Sequence, residues 1–126
     1  MPLYNVSSRV GLSDAQKQKL AKQIVVTHCS LTGAPDTFVN VIYWDDFPLA
    51  PGQQYHILSA VRKGRTDELK NQLQAQMHRD VCATLAIEDK DLHIEFMEVP
   101  AQWVMEGGHI LPNPGEEAEC TWLKQA

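Results

Sequence analysis

The sequence predicts an α/β fold built from a duplicated β-α-β unit, with a four-stranded, mainly parallel core sheet and two helices on one face. Three observations lead there. Ten residues recur 53 positions apart, Gly11 to Leu20 matching Gly64 to Leu73, with the Gly, Asp, Lys and Leu identical. The same offset carries on through Gln23/Gln76, Ile24/Met77 and Cys29/Cys82. Each copy is flanked on both sides by short runs rich in β-branched and aromatic residues, the composition of half-buried strands. A helix between two strands of one sheet makes a right-handed parallel crossover. Two such units nearly fill 126 residues, so a single domain over 1–126 is expected, with units of about 1–54 and 55–99 and an extension over 100–126.

The elements follow in order. Leu3-Tyr4-Asn5-Val6 reads as the first strand. Ser13 suits a helix N-cap, Gln16 stands at capping-box spacing, and Asp14 favours the positive end of the helix dipole. Leu20, Ala21, Ile24, Val25, His28 and Leu31 then recur at helical intervals. Phe38 to Trp44 is the second strand, and Asp45 to Gln54 is a turn-rich connector. The second unit repeats the plan with Tyr55 to Val61, the cap Thr66, an apolar stripe of Leu69, Leu73, Met77, Val81 and Leu85, and the strand Leu92 to Phe96. With both helices on one side, the other sheet face is bare. An apolar patch of that size predicts a homo-oligomer. The weakly periodic tail from Pro100 is expected to wrap a neighbour or cover a site.

Composition narrows the function classes. No run of 18 apolar residues marks a membrane helix, and no basic segment followed by an apolar one opens the chain as a secretory signal. Three cysteines without paired spacing suit reduced thiols and a cytoplasmic setting. Residues 88–126 carry nine acidic against two basic side chains, a poor surface for nucleic acid. Against this background Arg62, Lys63 and Arg65 form the one tight basic cluster, where a strand enters a helix; it reads equally as an anion site or as a solvated turn. His78 and Cys82 are half of a zinc site with no second half, so neither metal nor other cofactor is expected. Cys29 and Cys82 fit helix packing, Trp44, Trp103 and Trp122 fit oligomer contacts, and Glu116, Glu117 and Glu119 fit a solvated face.

Met1-Pro2 adds a chemical possibility, because removal of Met1 would expose a secondary amine. An α-amino group titrates near pH 8 and can act as acid or base. Joined to the duplicated unit and the arginine pair, it resembles the tautomerase superfamily, whose members use an amino-terminal proline. The chain is most similar to the cis-3-chloroacrylic acid dehalogenase family and its hydratase-like homologues. The matching segments are Met1-Pro2, His28 with Leu31-Thr32-Gly33, Arg62-x-Gly64-Arg65 with Leu69-Lys70, and Pro100-Ala101-Gln102 through Glu106, Gly108 and Leu111-Pro112-x-Pro114-Gly115.

The resemblance implies a homotrimer acting on a small unsaturated carboxylic acid, a 3-haloacrylate or an acetylenic acid, to give malonate semialdehyde. Pro2 would be the proton donor, Glu106 would activate water, and His28, Arg62 and Arg65 would hold the carboxylate. The family has a tyrosine on the last strand where this chain has Glu95. A charge there, ~6 Å from the prolyl nitrogen at an effective dielectric of ~20, would be worth roughly 2–3 kcal/mol and would tune Pro2 toward its protonated form. With Pro2 neutral the same site would act as a keto–enol tautomerase of 2-oxo acids. A catalytically silent binding module is the third possibility.

Overall fold

The computed structural model describes residues 1–125. Strand β1 (Leu3–Ser8) leads to helix α1 (Asp14–Thr32) and back to β2 (Asn40–Trp44); β3 (Tyr55–Arg62), α2 (Asp67–Leu85) and β4 (Leu92–Val99) repeat the sequence of elements. The sheet order is β2-β1-β3-β4. β1 pairs β2 in parallel, β3 pairs β4 in parallel, and the two units join through an antiparallel β1–β3 pair. The sheet is therefore mixed, with two of its three pairings parallel.

The duplication extends to side-chain contacts. Lys17 reaches Asp45 at 2.6 Å, and Lys70, 53 residues on, reaches Glu98 at 2.7 Å. Both helices start on the predicted caps, with Ser13 Oγ accepting from the Gln16 N–H and Thr66 Oγ1 from the Leu69 N–H. Both end on a left-handed residue, Gly33 at φ 72° and Ala86 at φ 55°. Thr27 joins the two helices by donating to Asp80 at 2.7 Å, again at the 53-residue offset.

Strand alternation sorts the sheet into two faces. Tyr4, Val6, Ile57, Leu92 and Ile94 pack under Leu20, Ile24, Leu73, Met77 and Val81 of the helices. On the opposite face Ile42, Trp44, Leu58 and Met97 are 36–52% exposed. β2 starts later than its apolar run suggests, because Asp36–Phe38 form a 3-10 turn that tucks Phe38 into a second core cluster with Met1, Ala101 and Leu111. The tail folds over that cluster. It forms a small hairpin, β5 (Met105–Glu106) and β6 (His109–Ile110), turning on Gly107 and Gly108 at φ 58° and 82°. Trp122 stacks on His109 within the chain at 5.0 Å between ring centroids. Among the described residues no helix is long and apolar enough to cross a membrane.

Candidate functional site

Topology gathers the basic residues at one end of the sheet. Leu3 pairs with both Asn40 and Ala60, so the chain start lies beside the end of β3, where Arg62 sits. α1 runs back along β1, bringing His28 over Tyr4, and α2 begins just past Arg65. Pro2 is buried at the head of β1, its carbonyl accepting from the Asn40 N–H at 3.0 Å.

Arg62 is 1% exposed. Its guanidinium lies over the Phe38 ring at 5.2 Å, donates from Nη1 to the Pro112 carbonyl at 2.8 Å and pairs through Nη2 with Glu117 at 2.7 Å. Arg65, half-buried, donates from Nη1 to the Arg62 carbonyl at 3.2 Å. Burial and the neighbouring Arg62 both push the Arg65 guanidinium down from its ordinary value. Burial works to raise the Glu117 carboxyl, but the Arg62 hydrogen bond and charge outweigh it and hold Glu117 below the usual range. Glu117 is thus part of the site, not of the solvated face read from the acidic run. Arg62, Arg65 and Lys70 against the carboxylates of Glu117 and Glu98 leave the pocket electropositive. A hollow of about 210 Å³ opens between the two arginines, Val61 and Phe96.

His28 is fully buried. Its burial, with Arg65, Arg62 and the chain's amino group nearby, lowers it to about 3, so the ring is neutral at physiological pH. Nδ1 lies 2.8 Å from the Tyr4 hydroxyl. With the phenol donating to Nδ1 the ring proton sits on Nε2; Ser59 is the hydroxyl's other neighbour. Nε2 has no protein partner, and neither have Ser59 Oγ, Arg62 Nε or Arg65 Nε; among the described residues these are the buried side-chain polar atoms left unpaired. Each such group costs about 1–3 kcal/mol when unsatisfied, so each calls for a partner from outside the chain, a water or a ligand. Tyr4 and Ser59 were not singled out in the sequence. The signal was period-two spacing, which puts Tyr4 on the same face as Pro2, and the β1–β3 register, which sets Ser59 opposite Tyr4.

Glu106 comes from the β5–β6 hairpin, and its carboxylate contacts the Met1 ammonium. With Met1 in place the prolyl nitrogen is an amide, so the titrating amine is that of Met1. Burial, then the Arg62 charge, lower this amine to about 6, while the Glu106 carboxylate acts in the opposite sense. A hollow of about 330 Å³ adjoins Met1, Ala60 and Glu106.

Pro2, His28, Arg62, Arg65 and Glu106 therefore share one end of the molecule. Glu95 does not join them. It points from the open sheet face, across Leu58 from Asn5, and is bonded to His93 at 2.9 Å. Alternation along β4 sends Ile94 and Phe96 to the helices and Glu95 to the other side of the sheet.

The sequence matches, over residues 1–126, the family profile described as "Putative oxalocrotonate tautomerase enzyme". No curated protein matches it. Among solved structures it is similar to N1, a member of the cis-3-chloroacrylic acid dehalogenase family, at 27% identity and TM-score 0.87, covering 99% of this chain and 92% of that one. It is also similar to native Ps01740, at 26% identity and TM-score 0.74 over 83% of this chain and 100% of that one. A fused 4-OT described as a symmetric trimer, Q0, matches at 26% identity and TM-score 0.76, over 87% of this chain and 95% of the other. A profile matched from end to end, on this duplicated fold with basic residues gathered at the chain start, places the chain in the oxalocrotonate tautomerase family of the tautomerase superfamily.

Proposed function

We propose that the protein, once Met1 is removed, is an amino-terminal-proline enzyme that adds water to a small unsaturated carboxylic acid. The observation that carries this reading is the group of buried atoms without partners, His28 Nε2, Arg62 Nε and Arg65 Nε, in a pocket with a net positive charge. A substrate carboxylate would accept from these donors. It would reach Arg62 through Nε or by displacing Glu117. The same positive charge would stabilise the enediolate-like charge that develops as water attacks C3. Glu106, at the chain's amino end, would take the proton from water, and the Pro2 ammonium would deliver one to C2. A 3-haloacrylate adduct would then lose halide, and the enol from an acetylenic acid would tautomerise; both give malonate semialdehyde. Membership in the family, with a similar structure from the cis-3-chloroacrylic acid dehalogenase family, supports this assignment. The open sheet face and the trimeric fused 4-OT support a homotrimer.

One observation favours a second activity at the same site. Burial and Arg62, which lower the Met1 amine to about 6, would act on a Pro2 amine in the same direction. A neutral Pro2 is a base, suited to enolising a 2-oxo acid. The two activities separate by pH and by variant. Hydration, which needs the ammonium, should fall as pH rises through the Pro2 pKa, and tautomerisation should rise. Glu106→Gln should abolish hydration of propiolate and spare tautomerisation of phenylenolpyruvate, while Pro2→Ala should cost both by at least about 100-fold. Full activity in Pro2→Ala would refute the assignment.

A further inference from the structure

The open face of the sheet carries a cluster that the proposed chemistry does not use. His56 on β3 and His93 on β4 are direct partners across the parallel pair. Glu95 follows two residues after His93, so strand alternation returns it to the same face. The arrangement is set by backbone register, not by a chance meeting of long surface side chains. The two imidazole rings lie 5.4 Å apart between centroids, tilted by 33°. Glu95 Oε1 is 2.9 Å from His93 Nε2, and Oε2 is 3.9 Å from His56 Nε2. One ligand atom from each of the three residues fits within 4.8 Å of the others.

We propose that His56, His93 and Glu95 form a binding site for a divalent first-row metal ion, with Zn²⁺ the ion of choice. Two imidazoles and one carboxylate are a donor set that suits zinc. Metal–ligand bonds of about 2.0–2.1 Å in tetrahedral array separate neighbouring donor atoms by roughly 3.4 Å. The two separations seen here, 2.9 and 3.9 Å, straddle that value, so small rotations of the side chains centre an ion between them. Three protein donors leave a fourth position open. Beside His56 lies a hollow of about 440 Å³ walled by Trp44, Phe47 and Leu58, with Asn5 and Ser7 at its floor, which gives that position room for water or for a donor from a chain covering the face. This site lies on the opposite side of the sheet from His28 and Tyr4 and does not depend on the activity proposed above.

His78, Cys82 and Asp89 supply the internal comparison. His78 Nδ1 is 3.1 Å from Asp89 and 3.7 Å from Cys82 Sγ, yet the three do not bring their donor atoms together as His56, His93 and Glu95 do. The test is calorimetric titration of the full chain with ZnCl₂ in a non-chelating buffer, paired with the visible absorption of the Co²⁺-substituted protein. The expected result is one ion per chain, with His56→Ala, His93→Ala and Glu95→Gln each weakening binding by at least about tenfold, and Cys82→Ser leaving it unchanged. Co²⁺ should give the intense bands of a four- or five-coordinate ion in the parent and lose them in His93→Ala. Absence of zinc binding, unchanged affinity in the histidine variants, or loss of binding in Cys82→Ser would each overturn the proposal. A matched unfolding midpoint and oligomeric state in the absence of metal confirm that the variants fold and assemble like the parent.

Discussion

Glu117 occupies Arg62 much as a substrate carboxylate would, and the effect of removing it can be read directly. In Glu117→Gln the guanidinium keeps Pro112 and Phe38 but loses its charged partner. The variant should lose about 1–3 kcal/mol of stability. A small carboxylate such as propiolate should then raise its melting temperature more than it raises the parent's in the same thermal-shift assay. An equal response in both would mean that Glu117 and the ligand do not share Arg62. His28 gives a second prediction at this scale. Its folded value is depressed to about 3 against an unfolded value near 6.5, so the unfolded chain binds the proton first as pH falls. Stability from this residue is complete above pH ~6.5 and drains away between there and about 3, at up to ~1.4 kcal/mol per unit. Urea unfolding at pH 7 and 4.5 should show a loss about 2–3 kcal/mol larger in the parent than in His28→Gln. The sequence marked His28, Arg62 and Arg65 as candidates, but could not show that a tail carboxylate already sits on one of them. That contact joins residues 55 positions apart through an irregular loop, which no local pattern encodes.

At the level of elements, the sequence was legible wherever a local rule set the outcome. Ser13, Gln16 and Thr66 cap the helices they were expected to cap, and Asp14 and Asp67 open them. The helix ends were less legible, because Ala86 takes a left-handed conformation that sequence alone gives to glycine. Gly33 holds the equivalent place in the first unit. Ala86→Gly should therefore stabilise the protein by about 0.5–1 kcal/mol, seen as a higher urea midpoint at unchanged slope. A destabilised variant would mean that the Ala86 methyl packs more profitably than its backbone is strained. The β5–β6 hairpin passed unnoticed although Gly107-Gly108 is a recognisable two-residue turn. Strands of two residues leave no alternation to read.

Across the whole molecule, strand period decides which face of the sheet Glu95 takes. Leu92, Ile94 and Phe96 alternate with His93 and Glu95, and that alternation alone sends Glu95 to the open face. The same face carries the assembly prediction. Leu58 sits at its centre between β1 and β4, so Leu58→Arg should convert the oligomer to monomers in analytical ultracentrifugation while the far-UV circular dichroism stays that of the parent. A monomeric parent would remove the argument that a second copy covers the face. The central claim, that the chain start and the buried arginines form one carboxylate-handling site, is tested most directly by proton NMR of the Met1-free protein with propiolate. The account predicts signals of malonate semialdehyde that vanish in Pro2→Ala and in Glu106→Gln. No product from protein whose mass confirms a free prolyl amine would contradict it.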